Sequence, residues 1–189
     1  MFWRSLPVDW PLRWPERFEA VDGQTVEVPA EWLHGPGAWG CMLSHRQVLR
    51  EAIADGLDSI LILEDDAVCC EDFSRRVADF LRRVPDDWDC LMLGGQHLLP
   101  PAPVETGIVR CGGTQRTHAF ALRRRIMPGL LRFWEMVNTD HCDIVLAACC
   151  NHFAVYAPNP FLVGQRGGFS DITLRAEEAR NFDSPKMAA

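Results

Sequence analysis

The sequence predicts a single α/β domain. Helical and strand-like segments alternate along its 189 residues, and the strand-like segments are continuously apolar, as in parallel sheets that are covered on both faces. A hydrophobic content of 48% is enough to form a core in a chain of this length. We therefore expect a layered sheet with ligands bound beyond the carboxyl ends of its strands.

The first half of the chain gives the clearest elements. A helix is predicted over 44–56, with Ser44 and Gln47 as a capping box and Gly56 at its end. A buried strand should follow at 59–63. Apolar residues at helical spacing between positions 70 and 85 predict a second helix that ends before Pro85, and "DCLMLGG" predicts the next strand.

The second half is less regular. We expect a proline-rich loop at 98–107 and a pair of strands near 108–122. A helix should begin around Pro128, and "CDIVLAACC" predicts a short one after it. The segments "FAVYAP" and "FLVGQ" predict two short strands. The domain should extend to residue 176, followed by a loosely ordered tail at 177–189.

Composition excludes several classes of protein. The net charge is −7, which argues against a general nucleic-acid-binding protein. The eight cysteines include no C-x-x-C pair, so we expect reduced thiols and find little support for structural zinc. No apolar run has the length of a signal peptide or a membrane span. A soluble, cytoplasmic protein without a transmembrane segment is the expectation.

Three adjacent carboxylates, Glu64, Asp65 and Asp66, close the first predicted strand. They repel one another unless water or a cation compensates their charge. Alternate residues of a strand point the same way, so Glu64 and Asp66 could bind one Mn²⁺ or Mg²⁺ together with a diphosphate. The simpler interpretation is a solvated acidic turn before the next helix.

The order and spacing of several motifs resemble those of glycosyltransferase family 25, which includes lipopolysaccharide and procollagen-type galactosyltransferases. The motifs are "RFEAVDG", "GAWGCMLSHRQVLREAI", "ILILEDDA", "DWDCLMLGG", "THAFAL" and "VYAPNPFLVGQRGGFSDI". The resemblance implies a GT-A type nucleotide-diphospho-sugar transferase fold with a Rossmann-like mixed sheet. It also implies a UDP-sugar donor such as UDP-galactose, and a glycan or lipid-linked glycan acceptor such as lipopolysaccharide.

The resemblance also assigns roles to individual residues. Glu64 and Asp66 take the place of the family's metal ligands for Mn²⁺ or Mg²⁺, and Asp65 that of a contact to the ribose or sugar. Ser44 and His45 are expected at the N-terminus of a helix, where they could contact the anionic donor. Ser44 could instead be only a cap, and His45 a buried structural histidine.

Asp143 and Asp171 are the candidate catalytic residues. Members that invert the anomeric centre need a base for the acceptor hydroxyl, and Asp143 in "TDHCDIVLA" matches the family's aspartate before a late helix. Asp171 in "FSDI" could serve as the base or complete the metal site. Both could equally be helix caps, a common position for aspartate.

The beginning of the chain departs from the family pattern. Only 16 residues precede "RFEAVDG", where relatives have a first strand and helix. We therefore expect the first strand to be lacking and residues 1–16 to form an irregular apolar segment, since three prolines each remove a strand hydrogen-bond donor. A non-catalytic family member that acts as a binding protein is the alternative function.

Overall fold

The computed structural model describes residues 6–170 and 175–179. Within those ranges it contains four α-helices, one 3₁₀-helix (Gly23–Thr25) and twelve strands. The helices are α1 (Gly35–Ala54), α2 (Phe73–Arg83), α3 (Met127–Met136) and α4 (Cys142–Cys149). The strands are β1 (Ser59–Leu63), β2 (Ala67–Cys69), β3 (Cys90–Met92), β4 (Gln96–His97), β5 (Ala102–Glu105), β6 (Ile108–Arg110), β7 (Thr114–Gln115), β8 (Ala119–Arg123), β9 (Val155–Pro158), β10 (Val163–Gln165), β11 (Gly168–Ser170) and β12 (Arg175–Glu177).

Six strands form the central sheet in the order β1-β8-β3-β9-β6-β5. The predicted α/β class and mixed sheet are confirmed. The parallel sheet that the apolar strands alone suggested is not found, because only β3 and β9 pair in parallel among the described strands. β8 lies between β1 and β3 and is antiparallel to both. β1 and β3 consequently run in the same direction, and their carboxyl ends lie at the same edge of the sheet.

Apolar side chains cover both faces of this sheet, as predicted. Alternate residues of a strand point to opposite faces, so Cys90 and Met92 join one core with Phe120 and Trp134, whereas Leu91 and Leu93 join the other. Helices α1, α3 and α4 contribute apolar side chains to the first core. Helix α2 contributes Phe73, Val77 and Phe80 to the second. Because both faces of the sheet are covered, the strands are apolar at consecutive positions instead of alternating between apolar and polar residues.

Helix α1 begins nine residues earlier than predicted, at Gly35, with His34 in the N-cap position. The predicted capping box at Ser44 is wrong, because Ser44 lies in the middle of the helix. Its hydroxyl donates to Gly40 O at 2.7 Å and accepts from Val21 N at 2.9 Å. Ser44 therefore joins the preceding chain to α1, and neither it nor His45 faces a helix N-terminus.

Two predicted elements differ elsewhere. The loop expected at 98–107 contains β5, an edge strand whose four residues are exposed, which is where a strand tolerates proline. β6 and β8 both form within 108–122, but they pair with other strands instead of each other. Residues 6–22 contain neither helix nor strand. Within the described ranges, every helix is too short or too polar to cross a membrane.

Candidate functional site

The candidate site lies at the edge of the sheet where β1 and β3 end and β8 begins. Glu64, Asp65 and Asp66 follow β1, Gly94 to His97 follow β3, and Thr117 and His118 precede β8. Glu64 N donates to His118 O at 2.9 Å, and Gly94 N donates to Ala119 O at 3.1 Å. The acidic triplet and the segment after β3 therefore lie at one edge of the sheet, although the antiparallel strand β8 separates β1 from β3.

Glu64 points toward α1. Its Oε1 accepts a hydrogen bond from Thr117 Oγ1 at 2.9 Å and lies 3.3 Å from His45 Nε2. Burial alone would raise the pKa of Glu64, but the hydrogen bond and charge of His45, with Thr117, lower it below the usual range. Glu64 is thus held as a carboxylate by partners from α1 and the start of β8.

His45 is almost fully buried, with the rings of Phe120 and Trp134 both 5.8 Å from its own ring. Burial would lower its pKa, yet the charges of Cys142 and Glu64 raise it to about 9. The Cys142 pKa is lowered, first by a hydrogen bond with Cys41 and, against its burial, by the charge of His45. Sequence reasoning did not place Cys142 near His45, because α1 is distant from α4 in sequence.

The other two carboxylates of the triplet have different surroundings. Residues 64–67 form a turn, in which Ala67 N donates a hydrogen bond to Glu64 O at 3.1 Å. The expectation that side chains 64–66 alternate in direction as in a strand is therefore wrong. Asp65 is exposed. Asp66 is partly buried; its Oδ2 accepts from Gln165 Nε2 at 3.2 Å, while its buried Oδ1 has no hydrogen-bond partner among the described residues. Burial, then Glu64 and Asp65, raise the pKa of Asp66 to about 6.

Arg116 connects several elements at this edge, and sequence reasoning did not select it. Its guanidinium donates to Gln96 Oε1 at 3.2 Å and to Gln165 Oε1 at 3.1 Å. Within the described residues, the guanidinium donates hydrogen bonds to these neutral amides and forms no ion pair with a carboxylate. Its positive charge is therefore not compensated there. Its φ of 78° is in the left-handed region, which costs energy for a residue with a side chain and is most common at functional sites.

Asp143 lies in the first turn of α4 and faces Arg116. Its Oδ2 accepts from the backbone N of Arg116 at 3.2 Å. Burial, the largest influence, raises the pKa of Asp143, and the charge of Glu64 adds to it. The structure therefore places Asp143 within electrostatic reach of Glu64 and His45, although both are distant from it in sequence. Asp171, the other candidate base, lies outside the described residues.

Gly94 fits the site because it has no side chain. A Cβ atom at this position would lie 2.2 Å from His118 Nε2 and 2.3 Å from Val163 O. His118 Nε2 lies 3.1 Å from Val163 O, so Gly94 lets β3 end directly against this contact. Close approach of backbone segments is a common reason for glycine at the end of a strand.

Fold and site together define an α/β protein with a cluster of carboxylates at one edge of its mixed sheet. Residues 35–98, from α1 through β4, match the model of glycosyltransferase family 25 (LPS biosynthesis protein). The resemblance inferred from the sequence is confirmed over this segment, which comprises 64 of the 189 residues. It contains His45 and the whole acidic triplet.

Curated relatives differ in their described activity. The human inactive glycosyltransferase 25 family member 3 is 32% identical over 94 residues, which cover 46% of this chain and 16% of the relative. The mouse inactive member 3 is also 32% identical, over 97 residues. The zebrafish (Danio rerio) procollagen galactosyltransferase 1 is 33% identical over 70 residues, 35% of this chain and 12% of the relative. The matches thus span less than a fifth of the relatives' length.

Proposed function

We propose that the protein is a metal-dependent glycosyltransferase that moves a hexose, galactose from UDP-galactose, to a glycan acceptor such as lipopolysaccharide. The family match over residues 35–98 supports the reaction class. The observation that carries the proposal is Asp66 Oδ1, a buried carboxylate oxygen without a hydrogen-bond donor. The mixed sheet is compatible with the GT-A type fold that the resemblance implies, and that assignment is part of the proposal.

The carboxylate edge fits a hard divalent cation. A buried, unpartnered carboxylate oxygen is costly, and burial with two neighbouring carboxylates disfavours the charged form of Asp66. A cation would remove both penalties, and Mn²⁺ or Mg²⁺ commonly uses one or two protein carboxylates together with substrate phosphates. Asp66 would hold the ion, with Glu64 as the second carboxylate through the oxygen that Thr117 and His45 do not contact. When bound, the ion would neutralise charge that develops on the departing UDP.

The remaining residues would bind, orient and accept a proton. Arg116 would contact the donor diphosphate, because its guanidinium is held toward this edge by Gln96 and Gln165 and keeps its charge. The exposed Asp65 would contact the ribose or sugar. His45 would orient Glu64 through their 3.3 Å contact. Ser44 has its hydroxyl engaged by Gly40 and Val21, so we assign it no contact with the donor.

Asp143 is the proposed general base. Its carboxylate would accept the proton of the acceptor hydroxyl as that oxygen bonds to the anomeric carbon and UDP departs with the electrons of the glycosidic bond. A base works best when its pKa is near the working pH, and burial raises the pKa of Asp143 in that direction. The hydrogen bond from Arg116 N fixes its orientation.

A non-catalytic binding protein is the second candidate. One observation favours it: several of the relatives are described as inactive. Such a protein would keep donor or glycan binding without transferring the sugar. Both candidate functions predict donor or glycan binding, but only the glycosyltransferase predicts turnover. Binding and turnover must therefore both be measured.

The experiment combines calorimetry with a transfer assay. UDP and UDP-galactose are titrated into the wild-type chain and Asp66→Asn, with Mn²⁺ and with a chelator, and release of UDP is followed with glycan acceptors. The proposal expects Mn²⁺-dependent binding that Asp66→Asn abolishes, together with turnover. Metal-dependent binding that Asp66→Asn leaves unchanged would contradict the metal assignment. Binding without turnover on any acceptor would favour the non-catalytic function.

A further inference from the structure

Three soft-metal ligands from two helices converge beside the acidic triplet. Cys41 and His45 lie four residues apart on α1, and Cys142 is the first residue of α4. One ligand atom from each residue lies within 4.8 Å of the other two. Residues four apart on a helix share one face, so α1 presents a thiol and an imidazole together toward α4.

We propose that Cys41, His45 and Cys142 form a binding site for Zn²⁺, separate from the carboxylate site for the donor metal. Tetrahedral Zn²⁺ bonds sulfur at about 2.3 Å and nitrogen at about 2.0 Å, which requires ligand atoms roughly 3.5 to 4 Å apart. The observed spacing is within about an ångström of that geometry. Two thiolates and an imidazole are a ligand set that Zn²⁺ uses with a fourth position open to water or substrate.

The surroundings of the three ligands also suit a metal. His45 Nε2 lies 3.3 Å from Glu64 Oε1, and a carboxylate beside a ligating histidine commonly fixes its ring orientation. Thr117 Oγ1 lies 3.7 Å from Cys142 Sγ and also donates to Glu64. His45 and Cys142 are buried, whereas Cys41 is partly exposed.

Ligand chemistry separates this site from the carboxylate edge. Thiolates select Zn²⁺ or other soft ions, whereas carboxylates and phosphates select Mn²⁺ and Mg²⁺. A zinc ion here would connect α1 to α4, the helices that carry His45 and Asp143. It would therefore fix the position of Glu64 through His45 without contacting the donor. The absence of a C-x-x-C motif is consistent with this site, because its ligands come from helices distant in sequence.

Zinc binding is tested on the full chain in the presence of a non-thiol reductant. The chain should retain one Zn²⁺ after gel filtration, and Cd²⁺ should give a thiolate charge-transfer band. Cys41→Ser and Cys142→Ser should each weaken Zn²⁺ binding at least about a hundredfold, because loss of an outer-shell partner alone costs roughly 10–100-fold. Cys149→Ser, a buried thiol on the same helix, should leave the affinity unchanged, as should Asp66→Asn.

Thiol protection gives a second readout that needs no variant. Zn²⁺ should slow alkylation of Cys41 and Cys142 in the wild-type chain at least tenfold while the partly exposed Cys70 stays reactive. Unchanged Zn²⁺ affinity in Cys142→Ser, or equal alkylation rates with and without Zn²⁺, would overturn the proposal. Loss of Mn²⁺-dependent UDP binding in Asp66→Asn with Zn²⁺ retained would show that the two metal sites are separate.

Discussion

His45 Nε2 lies 3.3 Å from Glu64 Oε1, so the first carboxylate of the acidic triplet is paired with helix α1 and not with its two neighbours. The second, Asp65, is exposed. The third, Asp66, accepts a hydrogen bond from Gln165 on β10. Three adjacent acidic residues therefore have three different environments. Repulsion within the triplet acts on Asp66, whose pKa is raised by burial and then by the charges of Glu64 and Asp65.

Asp66→Asn should increase the free energy of unfolding in a chelator-containing buffer at neutral pH. The pKa of Asp66 is about 6 in the folded protein, above the usual 3.8. The folded state thus binds the proton more tightly, and wild-type stability should decrease as the pH rises from about 4 to 6. After allowance for solvent screening, we expect the variant to be about 1–2 kcal/mol more stable at pH 7.

The measurement is chemical denaturation at a series of pH values. The difference between Asp66→Asn and the wild type should disappear below pH 4, where Asp66 is protonated in both states. Asp65→Asn is the matched control, since Asp65 is exposed and should change stability by less than about 0.5 kcal/mol. Equal stabilities of the Asp66 variant and wild type at pH 7 would contradict the assigned environment.

Asp143→Asn should reduce turnover on an acceptor at least about a hundredfold, the usual contribution of a general base, while UDP affinity is unchanged. Because the pKa of Asp143 is raised, wild-type turnover should increase with pH as this group loses its proton. The variant should lack that rise. Asp140→Asn, an exposed neighbour, is the control. Surviving turnover with weaker UDP binding would instead place Asp143 in the donor site.

Gly94→Ala should destabilise the fold by about 1–3 kcal/mol, the usual cost of overpacking. The new methyl group would lie 2.2 Å from His118 Nε2 and 2.3 Å from the backbone oxygen of Val163, and neither group can move freely inside the core. Gly129→Ala is the matched control on α3, where a Cβ meets nothing within 4 Å. Thermal unfolding of both variants makes the comparison, and equal midpoints would contradict the packing argument.

Elements with a strong local signal could be predicted from sequence. The apolar spacing of α2 and the unbroken apolar runs of β1 and β3 predicted their positions, and burial on both faces of the sheet explains those runs. The start of α1 was missed because "GPGAWG" has three helix-disfavouring glycines and no side-chain cap. There the helix is held by tertiary contacts, such as Trp39 Nε1 with Glu27 O at 3.1 Å.

The candidate site was only partly predictable, since it is assembled by strand order. The insertion of β8 between β1 and β3 brings Thr117 to Glu64, and no pattern in "THAFAL" indicates that pairing. Cys142 meets Cys41 and His45 only because α4 packs beside α1. Arg116 has no local signal at all, since its partners come from β4, β10 and α4.

Arg116→Gln should weaken Mn²⁺-dependent UDP binding about tenfold to a hundredfold, because a hydrogen bond to a charged group contributes roughly 1.5–3 kcal/mol. The guanidinium of Arg116 donates to the neutral side-chain oxygens of Gln96 and Gln165. These oxygens orient the cation without neutralising it, so its charge can interact with a diphosphate. Calorimetry with UDP, uridine and pyrophosphate measures the effect. Affinity for UDP and pyrophosphate should fall in parallel, while uridine binding stays the same.

Arg124→Gln is the matched control, since Arg124 donates a hydrogen bond to the backbone oxygen of Gly56 beyond the opposite end of β1 and β8. A variant that loses uridine and UDP binding equally would show that Arg116 supports the fold of the pocket instead of contacting the diphosphate.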